Sequence, residues 1–257
     1  MAKSRLKEIE ALIQERHYLS LQELVNEFNV SESTIRRDFQ RLERQGILSR
    51  NHGGAVITAS STSEKNNFVL PISITNHEEK KRMGAEAARI VNDGEIIAIG
   101  SGTTCLVFSR FLHAKKDLTV ITNNAYVAVE LSFHENIKVI ATCGIVSHLH
   151  NCSNMIGSYS IDFLRNFFVE KLFCSVIGIN FEMGYSDINF TLADSWKAML
   201  NISTRSYLLA EQQKFDKHGY VSLGKLNCVH EVFTTSGIPH AYVNHYEKLS
   251  IPVHICE

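Results

Sequence analysis

Five arginines, Arg36, Arg37, Arg41, Arg44 and Arg50, crowd between positions 36 and 50 of a 257-residue chain whose formal net charge is only -1. Guanidinium groups donate paired, charge-assisted hydrogen bonds to phosphate oxygens and to the O6/N7 edge of guanine. A second stretch, Gly100-Ser101-Gly102-Thr103-Thr104, has the composition of an anion cradle. Glycine lets an anion approach the main chain, and hydroxyls and backbone N–H groups donate to it. The chemistry on offer is thus anion binding at two places. The six cysteines contain no C-x-x-C pair, and neither they nor the twelve histidines show metal-ligand spacing. Buried, reduced thiols are the expectation, with no metal and no cofactor.

The arginines need an element to present them. Leu6, Ile9, Leu12 and Ile13 recur at helical spacing and predict an amphipathic helix over residues 3–16. Ser20 suits the N-cap of a second helix with Leu21, Leu24, Val25 and Phe28 on its apolar face. After the tight connection Asn29-Val30, Ser31 starts a third helix that runs to about Gln45 and is ended by Gly46. Helix, short turn and helix match the helix-turn-helix arrangement. At about 100° per residue, Ile35, Phe39 and Leu42 share the core stripe of the third helix. Ser33, Arg37, Gln40 and Arg44 lie opposite, Arg36 and Arg41 flank them, and the acids Glu32, Asp38 and Glu43 fall nearer the core edge.

A helix entering the major groove needs short polar residues near its start, here Ser31, Ser33 and Thr34, and arginines to meet phosphate or guanine. Ile47-Leu48 and Ala55-Val56-Ile57 read as the strands of a β-hairpin wing. Its loop, residues 49–54, would lay Arg50 and His52 along the DNA backbone or minor groove. A charge run alone usually means a solvated helix face. This one rides the second helix of a helix-turn-helix pattern and precedes a glycine-rich hairpin, which favours DNA. The expected contact set is Ser31, Ser33, Thr34, Arg36, Arg37, Gln40, Arg41, Arg44, Arg50 and His52.

The second anion site belongs to a different kind of chain. Residues 59–69, ASSTSEKNNFV, have a linker composition. The expected organisation is a winged helix-turn-helix over 1–58, a linker over 59–74 and a larger domain over 75–257. The net charge is +1 over residues 1–58 and -2 over the rest, so bulk charge conceals the partner that local placement suggests. Beyond the linker, a helix opens at Glu78-Glu79-Lys80-Lys81-Arg82 and continues to about Ile90. Strands follow at 95–99, 118–121, 137–142, 171–179, 206–210 and 232–235, with 251–255 closing the series, and helical stretches between them. That alternation predicts an α/β domain with a mainly parallel sheet, in which ligands sit beyond the carboxyl ends of strands. Gly100–Thr104, followed by a helix over Cys105–Leu112, and Thr122-Asn123-Asn124 both lie at such ends and are expected to open on one crevice. The loop is neither a Walker motif nor G-x-G-x-x-G, and an ordinary βα turn has the same look.

No apolar run approaches the ~20 residues that span a bilayer. The start MAKSRLKEIE has no apolar signal core, so a cytoplasmic protein is expected, with no membrane partner.

The stretch VSESTIRRDFQRLERQGILSRNHGGA closely resembles the DNA-binding signature of DeoR-type bacterial transcriptional regulators. The resemblance is strong over residues 5–57 and weaker but continuous from about 77 to 235. It implies a C-terminal effector domain similar in fold to ribose-5-phosphate isomerase, which senses a phosphorylated sugar or related metabolite. It assigns Ser101–Thr104 as a phosphate loop, and it adds Lys214 to the site through the segment Glu211-Gln212-Gln213-Lys214-Phe215. Strand-end placement and the resemblance together give the expected effector set: Gly100, Ser101, Gly102, Thr103, Thr104, Thr122, Asn123, Asn124 and Lys214. Other positions depart from the family. Gly100 stands where an Asp is common, and the helix that usually carries a Glu and a Lys reads Leu192-Ala193-Asp194-Ser195-Trp196-Lys197. Trp196 could stack on a ligand or simply pack in the core. The phosphate end thus looks kept and the sugar end rewritten.

Three function classes follow: a repressor of a carbohydrate-metabolism operon released by a phosphorylated metabolite, an activator or partner-gated regulator, and a sugar-phosphate isomerase-like enzyme. The third lacks the acids it needs for proton transfer. A homo-oligomer, dimer or tetramer, is expected because one winged helix buries little DNA surface.

Overall fold

The computed structural model describes residues 2–16, 18–45, 47–51, 54–57, 74–149 and 151–257. The chain divides into two compact units, Met1–Pro71 and Ile72–Glu257.

The first unit runs α1 (Ala2–Arg16), β1 (Tyr18–Ser20), α2 (Leu21–Phe28), α3 (Glu32–Arg44), β2 (Leu48–Asn51) and β3 (Gly54–Ile57). At the start of α2 the Ser20 hydroxyl accepts from the Glu23 N–H, and the Glu23 carboxylate accepts from the Ser20 N–H, a reciprocal capping box. Asn29 ends α2 in the left-handed region at φ 49° and turns the chain into α3. Ile9, Ile13, Leu24, Ile35, Phe39 and Leu42 form one core with Leu19, Leu48 and Ala55. Asp38 is buried on the same helix because the Arg5 guanidinium of α1 meets it at 2.7 Å. The wing has a third strand that periodicity did not announce: β1 is three residues long, too short to show alternation, and pairs antiparallel with β3. The wing strand begins at Leu48, one residue after the expected start. Gly46, the expected helix stop, and the linker residues 59–69 lie outside the described residues.

The second unit runs α4 (His77–Ala88), β4 (Ile96–Ile99), α5 (Thr103–Ser109), β5 (Leu118–Thr122), α6 (Ala125–Ser132) and β6 (Ile137–Ala141). Next come β7 (Ile145–Leu149), β8 (Cys152–Ile156), α7 (Ser158–Leu164), β9 (Val169–Cys174), β10 (Gly178–Asn180) and β11 (Gly184–Asp187). It ends with α8 (Phe190–Asn201), β12 (Ser203–Leu209), β13 (Val221–Gly224), β14 (Glu231–Thr235), α9 (His240–Lys248) and β15 (Val253–Cys256). A seven-stranded parallel sheet has the order β15-β14-β12-β9-β4-β5-β6. Alternate residues feed two cores. Ile97, Ile99, Val120, Phe173, Leu209 and Phe233 pack under α4, α5 and α6, while Ala98, Leu172, Cys174, Leu208 and Val232 pack under α8 and α9.

The seven expected strands supply the seven members of this sheet, with one correction. The run 171–179 is not one strand: β9 ends at Cys174, and Gly178–Asn180 turns away into a separate antiparallel sheet, β10-β11-β13. The hairpin β7–β8 was likewise not expected. A second correction concerns the helix after β4. Thr103 and Thr104 already belong to α5, which ends at Ser109, short of Leu112.

Candidate functional site

On α3 the expected rim faces outward. Ser31, Ser33, Arg36, Arg37, Gln40, Arg41 and Arg44 are exposed and Thr34 is half-buried, while Ile35, Phe39 and Leu42 are buried. The hydroxyls of Ser33 and Thr34 lie 2.9 and 2.8 Å from that of Ser31, so Ser31 gathers a hydroxyl cluster at the helix start and makes no side-chain cap bond. Of the acids, Asp38 is buried and Glu43 half-buried, but Glu32 is exposed. It sits in the first turn, beyond the packed core, and holds Arg36 at 2.6 Å. That exposed pair is weak and can yield to a phosphate. Arg37, Arg41 and Arg44 form no ion pair among the described residues. Arg50 lies on β2 opposite Ala55. His52 lies outside the described residues.

The second site is a cavity of about 520 Å³ at the carboxyl ends of β12, β9, β4 and β5. Gly100, Ser101, Gly102, Thr103, Thr104, Asn123 and Lys214 line it. Gly102 holds φ 97°, which a glycine adopts without strain, and its carbonyl accepts from the Leu106 N–H and from Asn124 Nδ2. Asn123 Nδ2 donates to Ser101 Oγ at 2.9 Å, tying the loop to the next strand end.

Thr122 and Asn124 do not line the cavity, which corrects the expectation that all of 122–124 face it. Both are fully buried. The Thr122 hydroxyl donates to the Ile99 carbonyl, and Asn124 Oδ1 caps α6 by accepting from the N–H groups of Tyr126 and Val127. They set the position of Asn123 between them.

Three charged residues in the cavity escaped the sequence reading as ligand groups. Lys80 Nζ pairs with Glu211 Oε1 at 3.0 Å, and Thr104 Oγ1 lies 3.4 Å from Glu211 Oε2. Asp187 accepts from the N–H groups of Ile188 and Asn189. The cavity is therefore not stripped of carboxylates: Glu211 and Asp187 line it alongside Leu192. Helical period was the signal for Lys80. It falls on one stripe with the buried Met83, Gly84 and Ala87, the only charged residue of the run 78–82 to do so. Burial lowers the pKa of Lys214, while the charge of Glu211 opposes the shift. Trp196 is a core residue with one edge on the cavity, together with Leu192 and Met199.

Among the described residues, no helix is long and apolar enough to cross a membrane, and no group of three or more His, Cys, Asp or Glu is placed to hold a metal ion. Cys105, Cys152, Cys174 and Cys256 are buried free thiols and Cys228 is half-buried. Cys143 departs from the expectation and is exposed in the turn after β6.

An exposed arginine rim on a winged helix-turn-helix, with a polar cavity in a separate parallel α/β unit, fits one class: a DNA-binding regulator with a sensor domain. The family comparison agrees. The DeoR-like helix-turn-helix domain matches residues 5–61 and the DeoR C terminal sensor domain matches residues 75–236. The chain belongs to the DeoR family of transcriptional regulators. It is 34% identical to the HTH-type transcriptional regulator YulB of Bacillus subtilis, over 97% of this chain and 95% of that one. It is 27% identical to the glycerol-3-phosphate regulon repressor of Escherichia coli, over 95% of each. Among solved structures, ribose 5-phosphate isomerase A of Methanocaldococcus jannaschii aligns over 55% of each chain at 15% identity, with a TM-score of 0.40. The relatives that span almost the whole chain are regulators, and this chain is a regulator and not an enzyme.

Proposed function

We propose that the protein is a cytoplasmic, sequence-specific repressor of a carbohydrate-metabolism operon that releases its operator when a small phosphorylated metabolite binds. The observation that carries this reading is the loop Ser101–Thr104, which meets Asn123 and Lys214 around one cavity of metabolite size. Its main-chain N–H groups and hydroxyls suit a phosphate, and Glu211 and Asp187 suit the hydroxyls of the same molecule. The name of the E. coli relative, a glycerol-3-phosphate regulon repressor, supports both the sign of regulation and the chemistry.

DNA recognition falls to residues 1–58, through Ser33, Thr34, Arg37, Gln40, Arg41 and Arg44 on α3 and Arg50 and His52 of the wing, with 59–74 as linker. Residues 75–257 hold the effector and the oligomer contacts. A dimer or tetramer reading repeated half-sites supplies the DNA surface that one winged helix lacks. A ligand moves the balance between bound and released states only by its differential affinity for them.

The test has two stages. Genomic fragments retained by the purified protein identify an operator. Its affinity is then measured with and without millimolar phosphorylated sugars and polyols. A broad panel that leaves the affinity unchanged rules out release by this class of metabolite.

A further inference from the structure

The cavity contains an ion pair that phosphate binding at the loop does not by itself explain. Lys80 and Glu211 are 4% and 1% exposed, and both line the cavity. Besides its 3.0 Å contact with Glu211, the Lys80 ammonium donates to the Thr75 carbonyl at 2.7 Å. The second oxygen of Glu211 faces the hydroxyl of Thr104, on the phosphate loop. One chain of polar contacts therefore runs from Thr75, before α4, through Lys80 and Glu211 to the loop.

A carboxylate so placed repels any anion that enters, and its burial is tolerable because Lys80 neutralises it. Lys80 is thus both the nearest cation to Glu211 and a cation an entering phosphate needs. The N–H of Lys214, the third charge in this corner, donates to the Glu211 carbonyl at 2.9 Å, while its ammonium makes no hydrogen bond or ion pair among the described residues and feels the charges of Glu211, Lys80 and Asp187.

We propose that Glu211 is a built-in competitor for Lys80: the carboxylate holds the ammonium as a surrogate anion, and a dianionic phosphomonoester takes it over. The transfer loosens the hold of Lys80 on the Thr75 carbonyl. The competitor sets a threshold. A ligand with a single negative charge gains little by displacing an equal charge already in contact, whereas a phosphomonoester brings about two charges and three acceptor oxygens. The pocket therefore selects phosphomonoesters over carboxylates and phosphodiesters. This inference rests on the reading of the cavity as a phosphate site.

Calorimetry on the full chain with inorganic phosphate and glycerol 3-phosphate as probes tests it, with circular dichroism to check each variant's fold. Glu211→Gln, which keeps the shape and removes the charge, binds both probes roughly tenfold more tightly, and Lys80→Met binds them roughly tenfold more weakly. Lys80→Met leaves a buried carboxylate unpaired and is prone to unfold, so the Glu211→Gln arm decides. Lys214→Met separates the two levels of the argument. If it weakens phosphate binding while Glu211→Gln binds no more tightly than the parent, the cavity remains a phosphate site and the competitor is refuted. If the parent binds neither probe, or Lys214→Met binds as the parent does, the phosphate-site reading falls and takes the competitor with it.

Discussion

Arg37 stands at the centre of the exposed rim of α3, where the proposed DNA contact can be tested for binding and for discrimination separately. If it meets a phosphate, Arg37→Ala weakens binding to all sequences and lowers the salt slope by about one; if it meets guanine, discrimination at one base pair relaxes by ~1–3 kcal/mol. Fluorescence anisotropy over a salt series, with matched and mismatched duplexes, tells these apart. Ser33→Ala and Thr34→Ala alter specificity with little cost to the fold, because neither hydroxyl bonds a buried group. In the cavity, the prediction concerns protons. Burial holds Lys214 below the ordinary lysine range. A bound phosphate favours the charged form, so binding takes up protons near that lowered pKa, and affinity falls as pH rises through it, earlier than for a surface lysine. Calorimetry in buffers of different ionisation enthalpy measures the uptake, and Lys214→Met abolishes it. The residues of the rim were legible because helical period and side-chain type carry that information. Glu211 and Asp187 were not, because their role depends on which strand ends adjoin in space.

Two elements carry sharp predictions of their own. Ser20→Ala removes one half of the capping box that starts α2 and costs about 1 kcal/mol of stability in the first unit, read by urea denaturation. Gly144 precedes the hairpin β7–β8 at φ 126°, and a Cβ there would run into the Ile156 carbonyl oxygen. Gly144→Ala therefore strains the hairpin by roughly 1–3 kcal/mol. Because His148 and Asn151 reach the cavity from this hairpin, the variant also binds phosphate more weakly, and hydrogen exchange over 145–156 rises. The members of the parallel sheet were readable as apolar runs between turn signals. The break after β9 was not, since Val176 and Ile177 continue the apolar run while the backbone leaves the sheet. The antiparallel pieces were hidden for a related reason: β1, β10, β11 and β13 are three or four residues long and mix polar with apolar types.

At the scale of the whole molecule, a net charge of -1 supplies no general attraction to nucleic acid. If affinity comes from the local rim, as proposed, it falls steeply with salt while the chain stays poorly retained on a generic cation exchanger. Sheet order governs the sensor. β4 is an interior strand although it is the first of this sheet in the chain, with β5 and β6 added on one side and β9, β12, β14 and β15 on the other, and the cavity lies across that change of direction. The sequence pointed to such a crevice by placing two polar segments at strand ends, but the order of strands, and with it the neighbours of each loop, belongs to the folded sheet. The same order has a consequence for synthesis. The described core residues of the first unit all lie within 6–55, whereas the cavity waits for β9 and for Glu211 and Lys214. A growing chain can therefore shape its DNA-reading part while the rest is still on the ribosome. A nonsense codon placed between the two would leave a folded DNA-reading unit with no sensor and, on the proposed reading, no means of pairing with a second copy.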